Sequence, residues 1–178
     1  FGGFGLDDDL CGQQDMGAKA YRQGVPMGGE LRGPTPGPGS APSFIVSALR
    51  DPGDRGVPST PLQRIQIIKG FLVGDQSRER VYDVVGDFAG DAADVDLTTC
   101  TPRGKGFDEL CRVWRDPDFD PDTPSFYYAR VVENPSCRWS QHLCIAAGVD
   151  CSDPATITQG FEPCCAADHR PTVQERAW

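Results

Sequence analysis

Hydrophobic and polar residues alternate most regularly between residues 65 and 73, where the chain reads Ile-Gln-Ile-Ile-Lys-Gly-Phe-Leu-Val. A period of two residues places the side chains at 65, 67, 69 and 71 on one face of a β-strand. Gly74 and Asp75 follow and are typical of a tight turn. We therefore predict a β-hairpin in which this strand pairs with a second strand over residues 78–85.

Four other segments are rich in the β-branched and aromatic residues that favour strands. They span residues 43–50, 95–99, 110–114 and 125–133. The chain also holds 21 glycines and 16 prolines among its 178 residues, an excess that favours short strands and turns over long helices. This pattern predicts a mainly β fold: a β-sandwich-like domain with a short helix and a disulfide-rich C-terminal loop region.

The same pattern divides the chain into three parts. Residues 1–42 form an extended, Gly/Pro-rich N-terminal segment and linker, because Pro or Gly occupies nearly every other position between 29 and 42. Residues 43–135 form the β-sandwich-like core. Residues 136–178 form a Cys-rich region of helix and loops that packs on this core.

One short helix is predicted in the Cys-rich region, after the Asn-Pro pair that ends the last strand. It runs from Cys137 to about Ala147, with Ser136 as its N-cap and Gly148 at its end. A single further helical turn is expected near residues 171–177.

The eight cysteines indicate the compartment of the protein. Structural zinc sites use cysteines separated by two to four residues, and no such pair occurs here. An even number of cysteines is instead typical of a disulfide-bonded exported domain, so we expect disulfides and a periplasmic or extracellular location. The cysteines are Cys11, Cys100, Cys111, Cys137, Cys144, Cys151, Cys164 and Cys165.

The connectivity of these cysteines is mostly open, since eight cysteines allow 105 pairings. Cys100 with Cys111 is the favoured single pair, because closing a loop of about a dozen residues would contribute roughly 3 kcal/mol. The neighbouring Cys164 and Cys165 are expected to bond different partners.

The charge of the chain excludes several classes of partner. Its formal net charge is −9, and it has no basic stripe that could displace counterions from phosphates, so we predict no nucleic-acid partner. Its best apolar stretch, residues 65–73, is far shorter than the ~20 residues that cross a bilayer. No membrane span is therefore predicted.

An acidic stretch of alternating aspartates could bind a cation. In an extended backbone, Asp116, Asp118, Asp120 and Asp122 would direct several carboxylates the same way, and a calcium ion would relieve their repulsion. The stretch does not follow the EF-hand pattern, because Pro121 stands where that loop needs glycine. The alternative, which we favour, is a solvated acidic turn between two strands.

A second group of residues could line a pocket near the predicted helix. Glu133, Arg138, Trp139 and His142 offer a carboxylate, an anion-binding guanidinium, an aromatic face and an imidazole. In the alternative, Trp139 belongs to the core and Arg138 pairs with Glu133.

Catalytic motifs are lacking in the chain. It has two histidines, too few for a His-rich catalytic metal centre. It contains no nucleophile elbow, P-loop or dinucleotide-binding fingerprint. We therefore assign no catalytic residue and expect no cofactor bound by this chain other than the calcium considered above.

Several strings of residues carry a family resemblance, above all Phe-Tyr-Tyr-Ala-Arg-Val-Val-Glu-Asn-Pro-Ser-Cys-Arg-Trp at 126–139. The others lie at 24–31, 60–70, 113–121 and 174–178. Together they resemble the C-terminal portion of the bacterial family called domain of unknown function 3604. The resemblance spans nearly the whole chain.

The resemblance implies a longer, exported parent protein. The N-terminal part of such proteins is similar to the metal-dependent phosphoesterase barrels of the PHP (polymerase and histidinol phosphatase) type, and its His and Asp motifs would hold divalent metal. None of those motifs occurs in this chain, so no metal ligand transfers to it. A fragment would also explain why the chain begins at Phe1 without a leader.

Two functions follow as hypotheses. The first is an accessory C-terminal domain of an exported PHP-like metal-dependent hydrolase, not catalytic on its own, whose partner is the N-terminal barrel of its parent chain. The second is an extracellular structural or binding module, a subunit of a larger surface assembly whose partner is another protein.

Overall fold

The structure, a computed structural model, describes residues 1–32, 40–54 and 59–178. Residues 33–39, half of the Gly/Pro-rich stretch at 29–42 of the predicted linker, lie outside the described residues. The strands are β1 (Gly2–Gly3), β2 (Ser43–Leu49), β3 (Leu62–Val73), β4 (Gln76–Gly86), β5 (Ala93–Val95), β6 (Pro102–Gly104), β7 (Glu109–Arg115), β8 (Ser125–Glu133), β9 (Ser136–Cys137), β10 (Thr172–Val173) and β11 (Arg176–Ala177).

Helices make up a small part of the described chain. The α-helices are α1 (Met16–Gln23) and α2 (Trp139–Ala146), and short 3-10 helices cover Leu10–Gly12, Pro154–Thr156 and Glu162–Cys165. Among the described residues, no helix is long and apolar enough to cross a membrane.

The strands form two main antiparallel sheets. One has the strand order β1-β2-β7, and the other has the order β11-β8-β3-β4. The predicted hairpin is confirmed, because β3 and β4 pair on either side of the turn at Gly74 and Asp75. Gly74 has φ +60 there, a conformation that glycine adopts without strain.

The two sheets pack face to face and enclose the main core. Ile67 of β3 is buried between them. The rings of Phe44 in β2 and Tyr127 in β8 are 4.4 Å apart, and those of Trp114 in β7 and Tyr82 in β4 are 4.9 Å apart. These contacts place β2 over β8 and β7 over β4. The predicted mainly β, sandwich-like fold is confirmed.

The N-terminal segment contains structure that the alternation pattern did not predict. Leu6, Leu10 and Ala20 of this segment form a second buried cluster with Ile45 of β2. These apolar residues stand at irregular spacing among Asp and Gly, so neither a strand period nor a helix period identifies them. The segment packs on the outer face of the β1-β2-β7 sheet, and α1 provides part of the contact.

All eight cysteines are disulfide-bonded, in the pairs Cys11–Cys111, Cys100–Cys137, Cys144–Cys164 and Cys151–Cys165. The prediction that Cys164 and Cys165 bond different partners is confirmed. Four disulfides are typical of proteins from an oxidising compartment.

The predicted Cys100–Cys111 pair is wrong. Cys111 lies within β7 and packs, with Cys11, against the N-terminal cluster. Cys100 lies in the turn before β6 and bonds Cys137 in β9. Short separation along the chain was a poor guide because β6 and the residues after it carry the two cysteines to different parts of the fold.

The predicted strand at 95–99 is also displaced. The strand observed there is β5, which ends at Val95. The Asp96 side chain accepts hydrogen bonds from the backbone N–H and the hydroxyl of Thr98, and this local pairing turns the chain.

Two helix predictions in the Cys-rich region need correction. Ser136 is not the cap of α2, because it lies in β9 and pairs with Val173 of β10. The helical turn expected near 171–177 is wrong, since β10 and β11 occupy that stretch. The predicted end of α2 is confirmed, because Gly148 follows it with φ +68.

Candidate functional site

A buried ion pair joins β3 to the loop between β7 and β8. Lys69 Nζ lies 2.7 Å from Asp116 Oδ2, and the two side chains are 5% and 0% exposed. The Tyr127 hydroxyl donates to the same carboxylate oxygen at 2.6 Å. Burial, together with this carboxylate, raises the pKa of Tyr127 above its ordinary value. The charge of Lys69 is therefore neutralised inside the sandwich.

Asp118 is held by a different cation at the surface. Arg80 Nη1 lies 2.6 Å from Asp118 Oδ2, and the Tyr82 hydroxyl donates to the same oxygen at 2.8 Å. The hydrogen bonds from Tyr82 and Arg80 lower the pKa of Asp118. Partial burial and the hydrogen bond to Asp118 raise the pKa of Tyr82 to about 12.

The remaining two aspartates of the predicted calcium site lie in the loop that follows. Asp120 accepts hydrogen bonds from the Thr123 hydroxyl and the Asp122 backbone N–H, which lower its pKa. Among the described residues, no three of the four carboxylates converge on one point. Asp116 faces Lys69 whereas Asp118 faces Arg80, so protein cations already neutralise two of the four. Calcium binding stays a prediction.

A large cleft opens on one side of the sandwich, with a volume of about 1230 Å³. One wall is formed by β8 and the loop before it, from residue 119 to 129. The opposite wall comes from the N-terminal segment, at residues 1–4 and 25–31. Phe44 and Ile67 lie at its base between the two sheets.

Aromatic rings dominate the mouth of the cleft. The rings of Phe126 and Tyr128 are nearly parallel, with an angle of 11° and centroids 6.3 Å apart. Trp178 follows, with its ring 6.0 Å from Tyr128. Phe126 and Trp178 are 64% and 65% exposed. The charged side chains on the cleft are those of Glu30 and Asp120, so the cleft favours apolar or cationic ligands over anions.

The four predicted pocket residues lie away from this cleft. Trp139 and His142 lie in the first turn of α2, Arg138 directly precedes it, and all three are exposed, whereas Glu133 is half-buried at the end of β8. Arg138 Nε donates to the backbone carbonyl of Thr172 at 3.0 Å. The structure therefore places three of the four residues at the N-terminal end of α2 and the fourth on β8.

The alternative interpretation of these residues is wrong. Trp139 is 75% exposed and does not belong to the core, and Leu143, one helical turn later, is 51% exposed. Residues four apart share a face of an α-helix. Trp139 and Leu143 therefore form an exposed apolar face, which we call the α2 face.

His142 lies beside a disulfide. One of its ring nitrogens and the sulfurs of Cys100 and Cys137 lie within 4.8 Å of one another. A thiolate is the form of cysteine that binds metal, and the bond between the two sulfurs removes both as ligands. The group is therefore not a metal site while this disulfide is intact.

The pKa of the Glu133 carboxyl is raised above its ordinary value. Burial raises its pKa, and the nearby charges of Glu175 and Asp51 raise it further. Its backbone N–H donates to the Glu175 carbonyl at 3.0 Å, which joins β8 to the segment leading into β11. Glu133 thus contributes to the pH dependence of stability and does not line this cleft.

Sequence reasoning missed two features, the Lys69–Asp116 pair and the cleft. The alternation pattern did place Lys69 on the inward face of β3, and a lysine at an inward position signals a buried partner. Nothing in the sequence identified that partner, which lies 47 residues away. The cleft depends on how the N-terminal segment lies against the sandwich, and the local pattern holds no signal for it.

Comparison with known proteins gives a family and nothing more specific. The whole chain, residues 1–178, matches the family described as protein of unknown function (DUF3604). No match is found among curated proteins or among solved structures. Because the family match covers the full chain, the protein belongs to the DUF3604 family.

Proposed function

We propose that this chain is an accessory domain of an exported metal-dependent hydrolase and is not catalytic on its own. The catalytic metal would be held by a PHP-like barrel N-terminal to these residues in the same polypeptide. This part of the proposal is supported by the family resemblance, while the four disulfides support an oxidising compartment outside the cytoplasm.

The α2 face is the observation that carries the accessory role. Trp139 and Leu143 are large apolar side chains on one solvated helical face, and covering an exposed Trp and Leu gains about 25 cal/mol for each Å² removed from water. Arg138 and His142 flank this face and could hydrogen-bond to polar groups at its rim. These features fit a surface that another domain covers.

Mass spectrometry of the polypeptide isolated from its natural source tests whether a barrel exists. Tryptic peptides outside residues 1–178 that carry His and Asp metal motifs are expected, together with hydrolysis of p-nitrophenyl phosphate that requires Mn²⁺ or Zn²⁺. A mature polypeptide of 19.3 kDa, the mass of this chain alone, would contradict the proposal.

Substitutions on the α2 face test whether the barrel docks there. The double variant Trp139→Ser, Leu143→Ser is expected to lower the metal-dependent activity of the natural polypeptide and to speed its cleavage by trypsin between the two domains. Val73→Ser is the matched control, because Val73 is 57% exposed at the tip of the β3-β4 hairpin. Equal effects of the double variant and the control would contradict docking through α2.

The cleft supports the second candidate function, an extracellular binding module. Its volume of about 1230 Å³ and its aromatic mouth are features of ligand-binding sites. The two functions are compatible, because the cleft and the α2 face are formed by different residues.

A further inference from the structure

Three potential metal ligands meet where the turn before β6 approaches the start of α2. A ring nitrogen of His142 and the sulfurs of Cys100 and Cys137 all lie within 4.8 Å of one another. A tetrahedral zinc ion, with bonds of about 2.0–2.3 Å, holds its ligand atoms roughly 3.5–3.8 Å apart. Once the bond between the two sulfurs opens, small side-chain rotations therefore place all three atoms around one ion.

The chemistry of these ligands is that of a site for a soft cation. Thiolates select soft metals such as zinc, and imidazole suits the same metals. Two cysteines and one histidine are also the protein ligands of one type of catalytic zinc site, in which water takes the fourth position. Within the described part of the chain, no other three ligand atoms of His, Cys, Asp or Glu are grouped so closely.

The arrangement of the three ligands does not depend on the disulfide alone. Gln141 Nε2 donates to the backbone carbonyl of Leu97 at 2.9 Å, which joins α2 to the turn before Cys100. The backbone N–H of Arg138 donates to the Pro171 carbonyl at 2.8 Å, which fixes the junction between β9 and α2. Both bonds remain when the disulfide opens, so the ligands stay close together and the site is preorganised.

The backbone at Cys100 is a second observation that distinguishes this disulfide from the other three. Cys100 has φ +54, and among the described residues it is the one residue other than glycine with a positive φ. A side chain with a Cβ disfavours this left-handed conformation. The N–H of Cys100 donates to the Asp96 carbonyl at 2.7 Å, so the turn itself imposes it. Backbone strain of this kind clusters at functional sites.

We infer that Cys100, Cys137 and His142 form a redox-gated site for a soft divalent cation of the zinc type. In the oxidised protein the disulfide closes the site. A dithiol reductant transfers two electrons and two protons to it, so that the S–S bond breaks, both sulfurs become thiols and the reductant is left as a disulfide. The cation then replaces the two thiol protons, which pass to water, and binds both sulfurs and the imidazole nitrogen.

This site goes beyond the proposed function, because its ligands belong to this chain and not to the barrel. The metal of a PHP-like barrel would be held by His and Asp, whereas the site at α2 binds its cation through two sulfurs. The sulfur ligands give it a spectroscopic signature that a barrel site of that kind lacks.

Absorption spectroscopy with Co²⁺, which takes the place of Zn²⁺ in tetrahedral sites, tests the site in the natural polypeptide. Co²⁺ bound by thiolate gives a near-ultraviolet charge-transfer band, and Co²⁺ bound by His and Asp does not. The untreated polypeptide is expected to show no such band. After mild reduction with a phosphine and removal of the reductant without air, Co²⁺ should produce the band and Zn²⁺ should displace it.

Variants of the natural polypeptide identify the ligands. Cys100→Ala with Cys137→Ala should abolish the band, and His142→Gln should weaken Co²⁺ binding about a hundredfold or more, since losing even an outer partner of a ligand costs about 10–100-fold. The matched control is Cys151→Ala with Cys165→Ala, because that disulfide has no third ligand grouped with it among the described residues. The control should keep the band.

A measurement on the wild type keeps the test decisive if a cysteine variant does not fold by circular dichroism. After mild reduction, bound Zn²⁺ should protect Cys100 and Cys137 from an alkylating reagent. The thiols of Cys151 and Cys165, where reduction has opened them, should react equally with and without Zn²⁺. Mass spectrometry of tryptic peptides reads the alkylation of each cysteine.

Several results would overturn the inference. The reduced polypeptide gives no charge-transfer band, or the band is present before reduction or appears only once the protein unfolds. The band survives the loss of Cys100 and Cys137, or His142→Gln binds Co²⁺ as tightly as the wild type. None of these results bears on hydrolysis by a barrel or on the α2 face, so failure here is distinct from failure of the proposed function.

Discussion

Removing the charge of Lys69 should destabilise the protein strongly. In Lys69→Met, the Asp116 carboxylate stays in the core at 0% exposure without its cation, which lay 2.7 Å away. Breaking a buried ion pair from one side costs about 3–5 kcal/mol, because the remaining charge is desolvated without compensation. The hydroxyl of Tyr127 still donates to Asp116, which places the expected loss toward the lower end of that range.

Urea unfolding followed by tryptophan fluorescence measures this loss. With an m-value of about 2 kcal/mol/M, a loss of about 3 kcal/mol moves the midpoint down by roughly 1.5 M. The matched control is Arg80→Met, which removes the cation from the pair with Asp118, in the same loop but at the surface. The control should move the midpoint much less, because water and salt screen exposed pairs.

A second substitution separates the lost charge from lost packing. Asp116→Asn on the Lys69→Met background removes the unpaired charge and keeps the size of the side chain, so the double variant should recover part of the lost midpoint. A double variant as unstable as Lys69→Met would show that packing, not charge, is responsible. Midpoints that fall equally in Lys69→Met and Arg80→Met would refute the reasoning about burial.

The remaining predictions concern disulfides, acidity and backbone conformation. Replacing Cys11 and Cys111 by Ala opens a loop of 100 residues and should lower the free energy of unfolding, measured by calorimetry, by about 4.7 kcal/mol. Replacing Cys151 and Cys165 by Ala opens a loop of 14 residues and should lower it by about 3 kcal/mol. Equal losses in the two variants would contradict the loop-entropy argument. Burial raises the pKa of Glu133 in the folded state, so wild type should lose stability relative to Glu133→Gln as the pH rises above about 4.3, and a constant difference would contradict this. Gly86→Ala should cost about 1–3 kcal/mol in urea unfolding, because Gly86 has φ +111 and a Cβ there meets backbone. Gly12→Ala is the control and should leave the free energy of unfolding nearly unchanged, because a Cβ at Gly12 has no atom within 4 Å. Similar losses in the two variants would refute the claim that the backbone around Gly86 excludes a Cβ.

Alternation along the chain was sufficient to predict β3, β4 and β8, three of the four strands that form the larger sheet. The strand predicted at 125–133 coincides with β8, in which Phe126, Tyr127, Tyr128, Val131 and Val132 are aromatic or β-branched. The hairpin of β3 and β4 was predicted because a Gly-Asp turn separates two long strands. In each case the determining interactions are local or fall within one hairpin, so the sequence pattern reflects them directly.

Features that depend on distant contacts were not predictable in this way. The Cys11–Cys111 bond joins residues 100 positions apart, and it exists because the N-terminal segment packs on β2 and β7. The exposure of Trp139 was not predictable either, since a tryptophan in a Cys-rich segment fits a core position equally well. Both depend on how separate elements come together in the tertiary structure.

The central claim is that another domain of the natural polypeptide covers the α2 face, and hydroxyl-radical footprinting of that polypeptide tests it most directly. Tyr21 is 68% exposed on α1 and serves as an internal reference for a solvated aromatic side chain. The account predicts that Trp139, 75% exposed in this chain, is oxidised much more slowly than its exposure implies, and that Trp139 oxidation accelerates after the domains are separated by proteolysis. Rapid oxidation of Trp139 in the intact polypeptide, unchanged by proteolysis, would contradict the claim.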